Sequence, residues 1–187
     1  MIVHVCERAL EAGGEVFVAT DDARIVAAVQ GLAVKALMTR QDHASGTDRI
    51  TEVANLEGWP DDTLVVNLQG DEPLMQPILI QQLAEALHED PEASVATLGA
   101  PIKDAQEVFD PNAVKVVTNR FGHALYFSRA AIPWHRDQFR ETQETLPSTG
   151  TWLRHIGIYA YRAGFLRRYV RWPQSELERI EALEQLR

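Results

Sequence analysis

Four groups of residues carry side chains suited to chemistry. The apolar run Thr63 to Leu68 ends in Gln69-Gly70-Asp71-Glu72-Pro73. In open α/β sheets ligands bind beyond the carboxyl ends of strands. An acid there, beside a glycine that lets a ligand approach the backbone, suits a hard cation carrying a phosphate. Gly-Asp followed by Pro is also ordinary turn chemistry. A second group is His43-Ala44-Ser45-Gly46-Thr47-Asp48-Arg49. Ser-Gly ahead of a helix start offers backbone N–H groups to an acceptor on a base or phosphate, or simply caps the helix. The third joins Tyr126-Phe127-Ser128-Arg129 to His155-Ile156-Gly157-Ile158-Tyr159. Strand alternation sends His155 and Tyr159 to one face, and Arg129 is able to grip a carboxylate bidentately. A core-edge His–Tyr pair with a surface Arg is the competing account. The fourth is Glu184-Gln185, which also suits an exposed helix face.

Other chemistries lack support. No Ser/His/Asp order suggests a covalent triad, and no His/Cys spacing suggests zinc. Neither G-x-x-x-x-G-K nor G-x-G-x-x-G occurs. A net charge of -9 argues against a nucleic-acid surface, which needs clustered Lys and Arg. The densest basic run, Arg167-Arg168-Tyr169-Val170-Arg171, reads as one solvated helix face. One cysteine, Cys6, excludes an internal disulfide and fits a reducing compartment. No apolar run reaches membrane-spanning length. The sequence reads as a soluble, cytoplasmic protein with no membrane partner.

These residues need a scaffold, and the hydrophobic periodicity supplies one. Ile2, Val5, Cys6, Ala9 and Leu10 share a helical face that Gly13-Gly14 terminate. Val16 to Thr20 reads as a buried strand, Ala23 to Gln30 as a helix capped by Gly31, and Ala33 to Met38 as a weaker strand. A helix from Thr47 to Asn55, the strand Thr63 to Leu68, and a helix opening at Pro77 follow. Alternation at this spacing predicts an α/β fold with a mostly parallel central sheet. Later strand candidates are Val95 to Leu98, Val114 to Val117, Ala124 to Phe127 and Ile156 to Tyr161. Pro133 to Thr151 reads as a lid or interface loop. Ser175 and Glu178 form a capping-box pattern opening a helix through Leu177, Ile180, Leu183 and Leu186. At 187 residues and 45% hydrophobic content, a single domain is expected.

Read in order, the strings resemble one family, the 3-deoxy-manno-octulosonate (Kdo) cytidylyltransferases. The matching runs are Val18-Ala19-Thr20-Asp21, Met38-Thr39-Arg40 with His43 and Ser45-Gly46-Thr47, and Val66 to Pro73. Asn112 to Val117, Ala124 to Trp134, Leu153 to Tyr159 and Leu183 to Arg187 continue the likeness over essentially the whole chain. The resemblance implies transfer of CMP from CTP to Kdo, with magnesium, for lipopolysaccharide synthesis. It implies a nucleotide-diphospho-sugar-transferase-like fold, with a smaller mixed β lobe for homodimerisation. Asp71 then resembles a magnesium ligand, and Asp71 and Gln69 the catalytic pair. Ser45, Gly46 and Arg49 resemble nucleotide contacts. Gln69, Arg129, His155, Tyr159, Glu184 and Gln185 resemble sugar contacts. The family pattern also has a strand with a basic R-x-x-S-x-R-x-x-G-K loop before the point matching Met1, and a second metal-binding Asp past Arg187. The resemblance therefore implies a chain shortened at both ends, with little activity from these residues alone. A CMP-sialate synthetase or other sugar nucleotidyltransferase, and a non-catalytic ligand-binding remnant, are the alternatives.

Overall fold

The computed structural model describes residues 1–187. In chain order the elements are α1 (Ile2–Ala12), β1 (Phe17–Thr20), α2 (Ala23–Ala28), β2 (Lys35–Met38), α3 (Gly46–Leu56), β3 (Leu64–Asn67), α4 (Pro77–Glu89) and β4 (Val95–Pro101). They continue with α5 (Ala105–Phe109), β5 (Lys115–Thr118), β6 (Ala124–Ser128), α6 (Gln138–Glu141), β7 (Leu153–Arg162), α7 (Ala163–Tyr169) and α8 (Glu176–Glu181), and close on a 3-10 turn, Glu184–Leu186. The chain forms two compact units: residues 1–97 with 158–171, and residues 98–157 with 172–187.

Local chemistry sets most boundaries of the first unit. Gly13 ends α1 at φ 88, a backbone state that costs glycine little. Asp22 caps α2 by accepting from the Arg24 N–H, and Pro77 occupies the first turn of α4. β1 and β2 run parallel, with Phe17 opposite Lys35 and Thr20 opposite Met38. Cys6, Val18 and Val29 are buried together beneath them. β3 pairs antiparallel with the later half of β7, Val65 opposite Tyr161 and Val66 opposite Ala160.

In the second unit β5 pairs antiparallel with β6 and with the early half of β7. Ile102, Val108, Phe139 and Trp152 make one core, and Val116, Phe127 and Leu183 another.

The expected α/β class holds, but the sheet is not one mostly parallel sheet. Only β1 and β2 form a parallel pair of their own, and β7 meets both β3 and β5 antiparallel. Apolar runs report burial, not strand direction.

Three local expectations are refined. Pro133 to Thr151 is largely exposed but contains the short helix α6, whose Phe139 is 2% exposed against Trp152 with ring centroids 5.2 Å apart. The run Arg167 to Arg171 is no simple solvated face. Arg167 donates to Asn55 Oδ1 (3.0 Å), Asp61 Oδ1 (2.6 Å), Ala54 O (3.2 Å) and Trp59 O (2.5 Å), joining α7 to the end of α3. Its charge complements the carbonyl end of that helix. Finally, the closing helix stops at Glu181. Ala182 turns left-handed at φ 51, so Leu177 and Ile180 face solvent while Leu183 is buried.

Candidate functional site

The first unit holds Gln69, Asp71, Ser45, Gly46, Arg49 and Tyr159. Beyond β3 the chain turns at once, the Glu72 N–H donating to Gln69 O at 3.2 Å, which leaves Gln69, Gly70, Asp71 and Glu72 exposed. The turn and the acid-bearing strand end are thus one feature, because the turn is what presents the Asp71 carboxylate. Met75, buried two residues past Pro73, anchors the turn to the core.

Ser45 is the N-cap of α3. Its hydroxyl accepts from the Asp48 N–H at 3.2 Å, and the Asp48 carboxylate accepts from the Ser45 N–H at 3.1 Å. That reciprocal box sets the direction of the helix and fixes Gly46 as its first residue. Arg49, one turn on, ties the two segments that follow β1 and β2 to α3. It donates to Thr39 Oγ1 at 2.5 Å, Arg40 O at 3.3 Å and Asp21 Oδ2 at 3.2 Å. Nearby, the Glu52 carboxylate pairs with His43 Nε2 and accepts the Arg40 N–H at 3.1 Å, and the His43 bond holds its pKa below the usual carboxylate value.

Gly46, Arg49, Gln69 and Asp71 line a cavity of about 1130 Å³ whose other walls come from β1, β3, α1 and α4. Arg49 is the single cation among its lining residues. Tyr159, on β7, stacks on Tyr161 at 5.7 Å between ring centroids, as expected for two residues on one strand face.

The second unit holds Arg129, His155, Glu184 and Gln185. Arg129 is more engaged than the sequence suggested. Its Nε donates to Glu181 O at 2.7 Å and its Nη1 to Pro111 O at 3.0 Å, so the Nε edge is closed to a ligand. The end-on pair of Nη groups is what remains for a carboxylate. Glu184 and Gln185 lie half-buried on the 3-10 turn and not on an exposed helix face. Gln185 Nε2 lies 3.5 Å from His155 Nδ1, and the Phe127 ring meets the imidazole edge-on at 4.9 Å.

Burial pushes His155 down to about 4 from its ordinary 6.5. The folded protein therefore keeps a neutral imidazole at pH 7, a hydrogen-bonding group without charge. The unfolded chain takes up the proton first, so this residue's stabilisation is full above pH 6.5 and is lost as pH falls toward 4. We expect the urea midpoint of the parent to fall more steeply across that window than that of His155→Gln. Parallel curves would refute the assignment.

Two residues that shape this unit carried no sequence signal. Glu181 accepts from Ser128 Oγ (2.6 Å), Tyr126 Oη (3.2 Å) and the Arg129 N–H (2.9 Å). Burial alone would raise its carboxyl pKa, but these donors outweigh that and hold it below the usual value. Lys115 is 0% exposed and donates to Asp110 O and Arg129 O, both at 2.7 Å. Glu181 stands 52 residues from Arg129 in sequence, so no local spacing could have joined them.

A chain with this strand-end acid, capped helix and whole-length order of elements has the makings of a nucleotidyl-transfer protein, and comparison bears the class out. The family model for cytidylyltransferases matches residues 1–187. A 3-deoxy-manno-octulosonate cytidylyltransferase of Methylococcus capsulatus is 60% identical across all of this chain, which spans 73% of that relative. The Yersinia enterocolitica protein of the same name is 55% identical, with 74% of its length spanned. Among solved structures, a CMP:2-keto-3-deoxy-manno-octonic acid synthetase complexed with CTP superposes with a TM-score of 0.86 at 45% identity, over 99% of this chain and 72% of that one. The chain belongs to the 3-deoxy-manno-octulosonate cytidylyltransferase family.

Proposed function

We propose that this protein transfers CMP from CTP to Kdo, releasing pyrophosphate, as a step toward lipopolysaccharide. The sugar's anomeric hydroxyl attacks the α-phosphorus in line, so the protein's work is positioning and charge neutralisation. The observation that supports this reading most is the Gln69–Glu72 turn, which presents Asp71 beside the cavity in a chain matched over its whole length.

No cluster of three or more His, Cys, Asp or Glu side chains is arranged to cage a metal. A lone exposed Asp71 instead fits magnesium that arrives on a triphosphate with its waters, since that ion is ordinarily bound through one or two carboxylates plus phosphates. When bound, the ion would neutralise phosphate charge; Asp71 would hold it. In this reading Ser45, Gly46 and Arg49 serve the nucleotide. Gln69, Tyr159, Arg129, His155, Glu184 and Gln185 serve the sugar acid, with the Nη groups of Arg129 on its carboxylate. Arg49 is the one cation lining the cavity and already meets Asp21, so turnover by these residues alone is expected to be slow.

Pyrophosphate release from CTP tests the reading. It should require both Kdo and magnesium, and release with sialic acid in place of Kdo would reassign the substrate. Arg129→Ala should raise the KM for Kdo by roughly tenfold or more, given ~1.5–3 kcal/mol for a hydrogen bond to a charged group. The KM for CTP should barely move, and equal losses would return Arg129 to a purely structural role. A homodimer is part of the same proposal. Edge strand β6 supports it, because Leu125 within it and Phe121 just before it are 66% and 68% exposed. A monomeric mass by light scattering would refute it.

A further inference from the structure

Arg129 stands one residue past β6, where the ladder that sets Ser128 opposite Lys115 ends. Two side chains take over the bonding of its peptide there. Glu181 Oε2 accepts the Arg129 N–H at 2.9 Å, and Lys115 Nζ donates to the Arg129 carbonyl at 2.7 Å. The other oxygen, Glu181 Oε1, accepts from Ser128 Oγ at 2.6 Å, and that hydroxyl accepts the Ala130 N–H at 3.0 Å. One carboxylate therefore governs the backbone from residue 128 to residue 130.

Glu181 also holds the guanidinium, through its main chain. It is the last residue of α8, ahead of the left-handed Ala182. Carbonyls at a helix end lack partners within the helix, and Glu181 O takes Arg129 Nε at 2.7 Å. Pro111 O takes Nη1 at 3.0 Å, and Lys115 ties that loop down by donating to Asp110 O at 2.7 Å. The Glu181 carboxylate thus spends itself on the Arg129 peptide and makes no direct ion pair with the guanidinium, which two carbonyls aim instead. An ion pair serving stability alone would join the two charges. A guanidinium is a planar fork that meets a carboxylate bidentately only when correctly turned. Holding it still beforehand spares the ligand the cost of ordering it.

We propose that Glu181 is a positioning residue for sugar-acid binding: it acts through Arg129, fixing the direction in which the Nη groups meet the ligand's carboxylate. This rests on the reading of Arg129 as a Kdo contact.

Calorimetric titration of Kdo and of CTP into the parent and its variants tests it. Glu181→Ala should weaken Kdo binding about tenfold and leave CTP binding unchanged. Glu181→Gln keeps the reach and an acceptor for the Arg129 N–H, while the hydroxyls turn to accept from its amide, so it should bind Kdo nearly as the parent does. Glu181→Asp keeps the charge but not the reach and should be weak; it repeats the test should the alanine variant not fold. Added to Arg129→Ala, Glu181→Ala should cost no further Kdo affinity, because the two act as one unit. Without ligand, exchange of the Arg129 amide should quicken about tenfold or more in Glu181→Ala but not in Glu181→Gln. The inference fails if Glu181→Ala binds Kdo like the parent, if Gln is as weak as Ala, or if CTP affinity falls in step. It also fails if the two single losses add in the double variant, or if the Arg129 amide exchanges no faster. A parent that binds no Kdo defeats the sugar reading of Arg129 and this inference with it, whereas a parent that binds beside an equal Glu181→Ala defeats this inference alone.

Discussion

Replacing Asp71 by Asn is expected to lower the rate of CMP transfer by about 100-fold or more. Loss of a metal ligand removes several kcal/mol of charge stabilisation, and ~1.4 kcal/mol is a factor of ten in rate. Asn keeps the shape and the hydrogen-bonding oxygen but not the charge. Asp71 is exposed on a turn held by a backbone bond, so the melting temperature should stay within error of the parent. The loss should appear in kcat, and added magnesium should recover little of it. Turnover near the parent's at saturating magnesium would sink the metal role. A large drop in melting temperature would show instead that the acid shapes the turn.

The second large effect concerns stability. Glu178 is 5% exposed and its carboxylate receives both Arg187 Nε at 2.9 Å and Nη2 at 2.7 Å. The guanidinium holds its pKa below the usual value, with a smaller counter-effect from burial. Removing one partner of a buried pair strands the other, at ~3–5 kcal/mol. That is a large share of the ~5–15 kcal/mol typical of a folded domain. Arg187→Met should therefore lower stability by about that amount in urea unfolding, and the double change Glu178→Leu with Arg187→Met should recover most of it. A single variant within ~1 kcal/mol of the parent would mean the pair is solvated and weak. The carboxyl is held low in the folded state, so the pair's contribution is present above the ordinary carboxylate range and disappears as pH falls through the folded-state value. Ser175 Oγ donates to Leu186 O at 2.7 Å in the same region, so the 3-10 turn that carries Glu184 and Gln185 should loosen when the pair is broken.

Several features were legible because their causes are local. Gly13 stops α1, Asp22 and Ser45 cap their helices, Pro77 starts α4, and Gly70 with Pro73 forms the turn that carries Asp71. Each depends on residues within a few positions of one another. The Ser175 cap was half right. Its hydroxyl does accept the Glu178 N–H, but the Glu178 carboxylate turns to Arg187 instead of closing a capping box. A cation nine residues away outweighed the local partner.

The sequence by itself determined the family, the α/β alternation and the strand-end acid at Asp71, since each is carried by residue type, order and short-range spacing. Only the tertiary structure decided that β7 runs antiparallel to β3 and β5, because hydrophobic runs are the same in either direction. It alone committed the Nε edge of Arg129 to Glu181 and Arg167 to the end of α3. These are contacts across tens of residues, and they are set by which surfaces meet when the chain closes on itself.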